Sequence, residues 1–318
     1  MQFRRLGSSD LLVSPLCFGG NVFGWTADEA RSVSLLDAFV ERGFNFIDTA
    51  DVYSRWVEGN SGGESEAIIG RWLKKRGGRD TIVIATKVGM DMGAGKVGLH
   101  PKYIREAVDA SLRRLQTDYI DLYQSHRDDE SVAMEAVLEI YAKLIEEGKV
   151  RHIGASNFTP ERLAAAIDYA DRDGYPRYQT IQPEYNLYAR KGFEAELAPL
   201  CIEKGISCIN YYALASGFLT GKYRSKEDLT KSARGARSIE RYLTDRGFAI
   251  LRALDKVATE TGATPACVAL AWTMAQPAVA APIASATSLA QLDEMLSAPA
   301  LSLTADQMMM LSEASSGE

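Results

Sequence analysis

Asp48, Tyr53, Lys87 and His126 are the residues of this chain whose types and placement suggest chemistry. Asp48 and Tyr53 belong to Asn45-Phe46-Ile47-Asp48-Thr49-Ala50-Asp51-Val52-Tyr53, where a short apolar run gives way to polar residues. Lys87 ends the run Thr81-Ile82-Val83-Ile84-Ala85-Thr86-Lys87, and His126 ends Tyr119-Ile120-Asp121-Leu122-Tyr123-Gln124-Ser125-His126. A tyrosine phenol, with a reference pKa of about 10, is a poor proton donor to a developing alkoxide unless it is tuned. A lysine ammonium beside it would stabilise the phenolate and lower that pKa, at about 1.36 kcal/mol per unit. A carboxylate paired with the lysine keeps it charged and oriented, and an imidazole can hydrogen-bond a carbonyl oxygen and share in moving the proton. Together the four groups would polarise a C=O and protonate it as negative charge develops, or run the reverse for an alcohol. Each taken singly has a plainer reading: a turn cap, a packing aromatic, a solvated charge, a loop histidine.

What makes them one site is the alternation of elements around them. Short apolar runs recur at Leu16–Gly19, Asn45–Asp48, Ile82–Lys87, Ile120–Gln124, Arg151–Ser156, Thr180–Gln182, Ser207–Tyr211 and Ala278–Ile283. Between them lie stretches with apolar residues at helical spacing, among them Ala27 to Arg42, Pro101 to Leu115, Ser131 to Glu147 and Pro160 to Asp171. Gly43 and Gly148 stand where helix C-caps are expected, and Pro101 at a first turn. Eight strand-like runs alternating with helices predict a (β/α)8 barrel, preceded by a hairpin over residues 2–14 and carrying C-terminal rim loops. No linker-like shift in composition divides the chain, so residues 1–318 are expected to form a single domain. In a parallel barrel every strand ends on one face, where active sites are built. Asp48, Tyr53, Lys87 and His126 all fall at or just past runs two to four, hence on that rim.

Bulk properties narrow the partners. The net charge of −6 argues against nucleic acid, which needs a clustered basic surface. The basic stretch from Arg71 to Arg79 alternates with apolar residues and reads as a solvated helix face. No apolar run is long enough to span a bilayer, and the amino terminus lacks the apolar core of a signal peptide. The four cysteines (Cys17, Cys201, Cys208, Cys267) form no CxxC pair, which predicts buried thiols in a cytoplasmic protein. With three histidines, no multi-histidine metal site is expected. Gly93-Ala94-Gly95-Lys96-Val97-Gly98 matches GxGxxG, with Asp118 and Asp121 at a plausible distance for a ribose acid. The glycines, however, do not join a strand directly to a helix as a Rossmann turn requires, so the match reads as chance and the stretch as a flexible loop over the rim. A polar, basic stretch over 212–245, interrupted by Gly217, Gly221 and Gly235, has the length and composition of a functional loop.

The chain resembles the aldo-keto reductase superfamily over nearly its whole length. The motifs that carry the resemblance are Gly43 to Tyr53, Ala85-Thr86-Lys87, Asp118 to His126, Gly148 to Phe158, Gln182-Pro183-Glu184-Tyr185-Asn186, and Tyr211 to Lys222, in that order and spacing. The resemblance implies a barrel holding NADP(H) across its rim without a Rossmann fold, with Asp48, Tyr53, Lys87 and His126 as the catalytic tetrad and Tyr53 as proton donor. It implies that Ser156, Asn157 and Gln182 hold the nicotinamide carboxamide and that Tyr211 stacks on the ring. It also implies that Leu214 to Lys222, with Gly217, wraps the pyrophosphate, and it adds Gly20 and Asp48 to the cofactor surface.

Two departures bear on specificity. The segment Ala284-Ser285-Ala286-Thr287-Ser288-Leu289-Ala290-Gln291-Leu292 lacks the base that usually grips the 2′-phosphate. Ser285, Thr287 and Gln291 could still bond a phosphate or a ribose, so NADP(H) is favoured and NAD(H) stays open. The loop Ser54-Arg55-Trp56-Val57-Glu58-Gly59-Asn60-Ser61-Gly62-Gly63 is longer than the resemblance leads one to expect. Trp56 is its candidate substrate wall, with His126 and Phe23 as further substrate contacts and Trp25, Tyr188 and Tyr212 as weaker ones. The expected partner is a small carbonyl compound or alcohol; oligomeric state is left open. The expected activity is reduction of an aldehyde or ketone. A dehydrogenase of a sugar or other alcohol, and a cofactor-binding regulatory subunit of potassium channels, are the alternatives.

Overall fold

The structure, a computed structural model, describes residues 1–231 and 238–317; Gly235 lies outside the described residues. Two short antiparallel strands, β1 (Arg4–Arg5) and β2 (Leu12–Val13), form the expected hairpin. Eight parallel strands follow: β3 (Cys17–Gly19), β4 (Phe46–Asp48), β5 (Val83–Val88), β6 (Ile120–Ser125), β7 (Val150–Ser156), β8 (Tyr178–Gln182), β9 (Ser207–Cys208) and β10 (Ile283–Ala284). They pair in the order β10-β3-β4-β5-β6-β7-β8-β9. The ring closes where the Cys208 N–H donates to Ala278 O (2.7 Å), Ala280 N–H to Cys208 O (2.8 Å) and Ile283 N–H to Asn210 O (2.9 Å). The architecture is the expected (β/α)8 barrel.

Local chemistry sets the helices between the strands. Asp28 accepts from the Arg31 N–H and starts the helix Glu29–Glu41; Pro101 and Pro160 open the helices Pro101–Leu115 and Pro160–Asp173. The helix expected from Ser131 begins later, at Met134. Its first residues are spent on a turn in which Ser131 Oγ and N–H both bond Asp129 Oδ1. The last two strands are shorter than their apolar runs. Ala278 is forced to a φ of +66°, and Pro282, with no N–H, enters the ladder only as an acceptor for Cys17.

The two faces of the strands have separate cores, because successive side chains alternate. Ile47, Ile84, Tyr123, Ile153 and Ile181 face outward into the large cluster shared with the helices. Phe46, Val83, Ala85 and Leu122 face inward, in a smaller cluster that includes Leu6, Leu11 and Val13 of the hairpin segment. The hairpin therefore seals the strands' N-terminal end with apolar side chains. Two residues further along these inward lines stand Asp48, Lys87 and Gln124. The barrel interior is dry at one end and polar at the other. All four cysteines are buried and unpaired. No described helix is long and apolar enough to cross a membrane.

Candidate active site

The strand register brings the four predicted residues together. Lys87 pairs with Gln124 across β5 and β6, and Ser156 with Gln182 across β7 and β8. Lys87 Nζ donates to Asp48 Oδ2 (2.6 Å), to Thr49 O (2.8 Å) and to the Tyr53 hydroxyl (2.9 Å). Its ammonium thus spends its three protons on three oxygens, and neither Lys87 nor Asp48 is accessible to water. The Tyr53 hydroxyl lies 3.4 Å from Asp48 Oδ2. The other carboxylate oxygen, Oδ1, accepts from Gln182 Nε2 (3.0 Å) and Gln124 Nε2 (3.2 Å). His126 follows β6, held by its own N–H to Val88 O (2.8 Å), with its ring 6.1 Å from that of Tyr53.

The electrostatics correct one expectation. Burial, with the charge of Asp48 adding to it, pushes the Tyr53 phenol well above its ordinary pKa, the opposite of the lowering expected. The phenol is therefore protonated at neutral pH, with the Lys87 ammonium 2.9 Å from its oxygen. Burial, followed by the charges of Lys87 and Arg127, holds the His126 imidazole well below its usual pKa. At neutral pH it is uncharged, with one N–H to donate and no imidazolium proton to give.

The remaining rim residues fall into two groups. Ser156, Asn157, Gln182 and Tyr211 form one connected set. Ser156 Oγ donates to Gln182 O (2.9 Å), Asn157 Nδ2 to His126 O (2.9 Å) and Ser156 Oγ (3.0 Å), and the Tyr211 hydroxyl to Asn157 Oδ1 (3.0 Å). Gln182 spends both N–H protons on Asp48 and Gln124, which leaves its Oε1 to accept from a ligand amide. From Leu214 onward the chain turns through Ala215, Ser216 and Gly217, all at positive φ (47°, 58° and 96°), and a Cβ at Gly217 would sit 3.7 Å from Lys222 Nζ. A tight turn beside a lysine suits close approach of an anionic group. The residues present at the rim fit a nicotinamide nucleotide.

The second group lies at the far end of the rim. Ser285 is turned inward and donates to Asn21 Oδ1 (2.6 Å), whereas Thr287 bonds Gln291 Oε1 through its N–H (2.9 Å) and its hydroxyl (3.1 Å). A cleft of about 700 Å³ there is lined by Asp28, Arg31 and Ser34 together with Thr287 and Ser288. Arg31 escaped the sequence reading, because it stands on the first helix, far along the chain from the segment it faces. Gly20 packs beneath the tetrad, where a Cβ would lie 2.8 Å from Ser65 Oγ and 3.1 Å from Asp48 O.

The long loop after Tyr53 is tied down. Ser54 Oγ donates to Phe23 O (2.6 Å), and Asn60 Nδ2 to Gly24 O (3.1 Å) and Ser54 O (3.0 Å). Trp56 stands at its tip, half exposed at 51%, edge-on to Trp25 (5.7 Å) and beside Tyr53 (6.1 Å). Tyr212 is exposed next to Tyr211, while Tyr188 packs against Tyr242 and Phe218. Phe23 is a correction: it is fully buried, its ring edge-on to Phe18 at 5.4 Å, and supports the loop from below with no surface to offer a substrate. The glycine-rich stretch at 93–98 is a turn between β5 and the helix at Pro101, and Asp121 is bound by Arg79 and Arg151, in accord with a chance match.

A family model described as the aldo/keto reductase family matches residues 15–316. The chain belongs to the aldo/keto reductase family. It is 33% identical to an uncharacterized oxidoreductase, YrpG, of Bacillus subtilis (strain 168), over 98% of this chain and 95% of that protein. It is 31% identical to versiconal hemiacetal acetate reductase of Aspergillus parasiticus, over 98% and 96% of the two chains. It is 35% identical to a probable voltage-gated potassium channel subunit beta of Arabidopsis thaliana, over 94% and 91%. The family and its oxidoreductase relatives make this aldo/keto reductase an oxidoreductase acting on a carbonyl or alcohol group.

One acid near these four residues of this aldo/keto reductase has no side-chain partner. Asp51 is buried with no side-chain partner for either oxygen, and burial, with the charge of Glu66 adding to it, raises its pKa to about 8. The folded pKa lies above the unfolded one, so the contribution to stability is full below the unfolded value of about 3.8 and is lost progressively as pH rises to about 8. Asp51→Asn should therefore be neutral in thermal melts only below about pH 4, and stabilising by an amount that grows as pH rises. Above about pH 8.5 it should melt higher, by about 2–4 °C per kcal/mol relieved. An equal effect at both pH values would assign the change to packing.

Proposed function

We propose that this aldo/keto reductase is an NADP(H)-dependent reductase of aldehydes or ketones, with Tyr53 as general acid. The observation that carries the reading is the three-way contact of Lys87 Nζ with Asp48, Thr49 O and the Tyr53 hydroxyl. A bound nicotinamide supplies the hydride in reduction and accepts it in oxidation. The residues of the chain do the rest. Neutral His126 donates one hydrogen bond to the carbonyl oxygen and orients it over Tyr53. As negative charge develops on that oxygen, Tyr53 gives up its proton, and Lys87 holds the phenolate that results. Asp48 keeps the ammonium in place throughout. Such a general acid contributes on the order of 10²–10⁴-fold in rate. Ser156, Asn157, Gln182 and Tyr211 would orient the nicotinamide, Leu214, Gly217 and Lys222 the pyrophosphate, and Thr287 and Gln291 the adenosine end.

NADP(H) rather than NAD(H) is supported by Arg31. Arg31 lines the cleft with Thr287 and Ser288, and a guanidinium there can take the part of the base missing from the 284–292 segment. Trp56 is read as a wall of the substrate pocket, since a half-exposed indole braced by Trp25 beside the acid offers a flat apolar surface. The same chemistry runs backwards in an alcohol dehydrogenase, the nearest alternative. The potassium channel subunit among the relatives suggests another, with negligible steady-state turnover.

Three measurements test these assignments. Tyr53→Phe should cost at least about 10²-fold in kcat while NADPH affinity, measured by fluorescence titration, is kept; retained turnover would remove Tyr53 as the acid. NADPH should bind more tightly than NADH by the same titration, and Arg31→Gln should weaken NADPH alone by roughly 10-fold, the worth of one charge-assisted bond. Equal or tighter NADH binding overturns the cofactor assignment. Trp56→Ala should lower kcat/KM for bulky carbonyls in a substrate panel by roughly 10-fold, as loss of a buried aromatic contact implies; an unchanged panel takes Trp56 out of the pocket.

A further inference from the structure

Asp48 is sealed from water, so each of its lone pairs must be met by the protein. Lys87 and Tyr53 use one oxygen. The other is held by two carboxamides that also bond each other: Gln182 Nε2 donates to Gln124 Oε1 (3.2 Å), and both Nε2 groups donate to Asp48 Oδ1. Each amide has one orientation here. Turning Gln124 over would set its Oε1 against the carboxylate and its Nε2 against that of Gln182, replacing two attractions with two repulsions. The next strand makes room for this side chain: a Cβ at Gly154 would lie only 3.0 Å from Gln124 Cγ.

We propose that Gln124 is a positioning residue of the reaction: with Gln182 it pins Asp48 Oδ1, so that Oδ2 stays turned toward Lys87 and Tyr53. The inference rests on the function proposed above, since it assigns Gln124 a part in holding the acid's partners. Without the Gln124 amide, one side of Asp48 Oδ1 is bare in a dry cavity, and the carboxylate rotates to share both oxygens with Lys87. Its charge then bears more heavily on the phenol, and Tyr53 becomes a weaker acid. The other ionisable groups around this cluster include Lys87 on β5, Tyr53 and His126 on the rim, the Cys17 thiol on β3, which burial keeps protonated, and, further off, Asp51 and Tyr212.

Gln124→Met keeps the length of the side chain and removes its hydrogen bonds. It should lower kcat on the order of 10-fold to 100-fold, the worth of a hydrogen bond to a charged group, with the NADPH dissociation constant and the carbonyl KM unchanged. Gln124→Glu supplies a readout that packing alone would not move. While the introduced carboxyl is protonated it donates to Asp48, so kcat approaches that of the native protein at acid pH. As it ionises, two carboxylates face each other and kcat falls below that of Gln124→Met. Native kcat in Gln124→Met overturns the proposal, as does NADPH affinity falling in step with kcat, or a pH profile of Gln124→Glu parallel to the native one. Should Gln124→Met not fold, the pH series on Gln124→Glu decides alone. Tyr53→Phe, assayed alongside, separates the two levels. If it stays active, the proposed function has failed; if it is inactive while Gln124→Met is unimpaired, only the role of Gln124 has.

Discussion

An ammonium and a carboxylate taken out of water together are tolerable only while every remaining proton and lone pair between them is satisfied. Lys87 and Asp48 meet that condition through Thr49 O, the Tyr53 hydroxyl, Gln124 and Gln182. Each of these comes from a strand end or from the turn that follows it. A shift of one residue in any of the four strands would turn its side chain to the other face and leave one member of the pair bare. The ion pair is therefore a constraint on the barrel as much as a component of the site.

The barrel meets the constraint by dividing its interior along the strand direction. Phe46, Val83, Ala85 and Leu122 fill the lower interior with the apolar side chains of the hairpin segment, and the next inward positions carry Asp48, Lys87 and Gln124. The apolar floor excludes water from below, and the electrostatic contacts above it are correspondingly stronger. A second buried network steadies the outer side of the same strands. Glu66, fully buried, accepts from Thr86 Oγ1 (2.6 Å) and Arg114 Nε (2.7 Å), joining β5 to the helices Glu64–Arg76 and Pro101–Leu115.

The convergence of Asp48, Tyr53, Lys87 and His126 was legible in the sequence because Asp48, Lys87 and His126 close apolar runs, and strand ends share one rim in any parallel barrel. The hairpin and the helices opened by proline or capped by aspartate were legible for the same kind of local reason. What could not be read depends on distance through space. Gln124 looked like any polar residue inside a strand, since only the β6–β7 register shows it above Gly154 and against Asp48. Arg31 gave no signal because the cleft it lines is built from opposite ends of the chain. Phe23 was misplaced because its fixed position under the loop depends on Ser54, at a φ of +72°, reaching back to its carbonyl. The phenol's pKa went the wrong way for a related reason. A lysine near a tyrosine lowers it in water, but here burial and then the Asp48 carboxylate raise it.

That last point bears on the direction of the chemistry under the proposed reading. Reduction needs the phenol protonated at the start, and oxidation needs it as phenolate. Burial and the charge of Asp48 hold the phenol well above its ordinary pKa, so near neutral pH the donor form is the one present. The base form becomes scarcer tenfold for every unit by which the pKa exceeds the pH. Neutral His126 reinforces the asymmetry, because it can orient a carbonyl by donating to it and cannot act as a rival acid. The equilibrium itself belongs to the substrates and the cofactor. Under the proposed reading, Tyr53 begins reduction in its protonated form, with the Lys87 ammonium already against its oxygen.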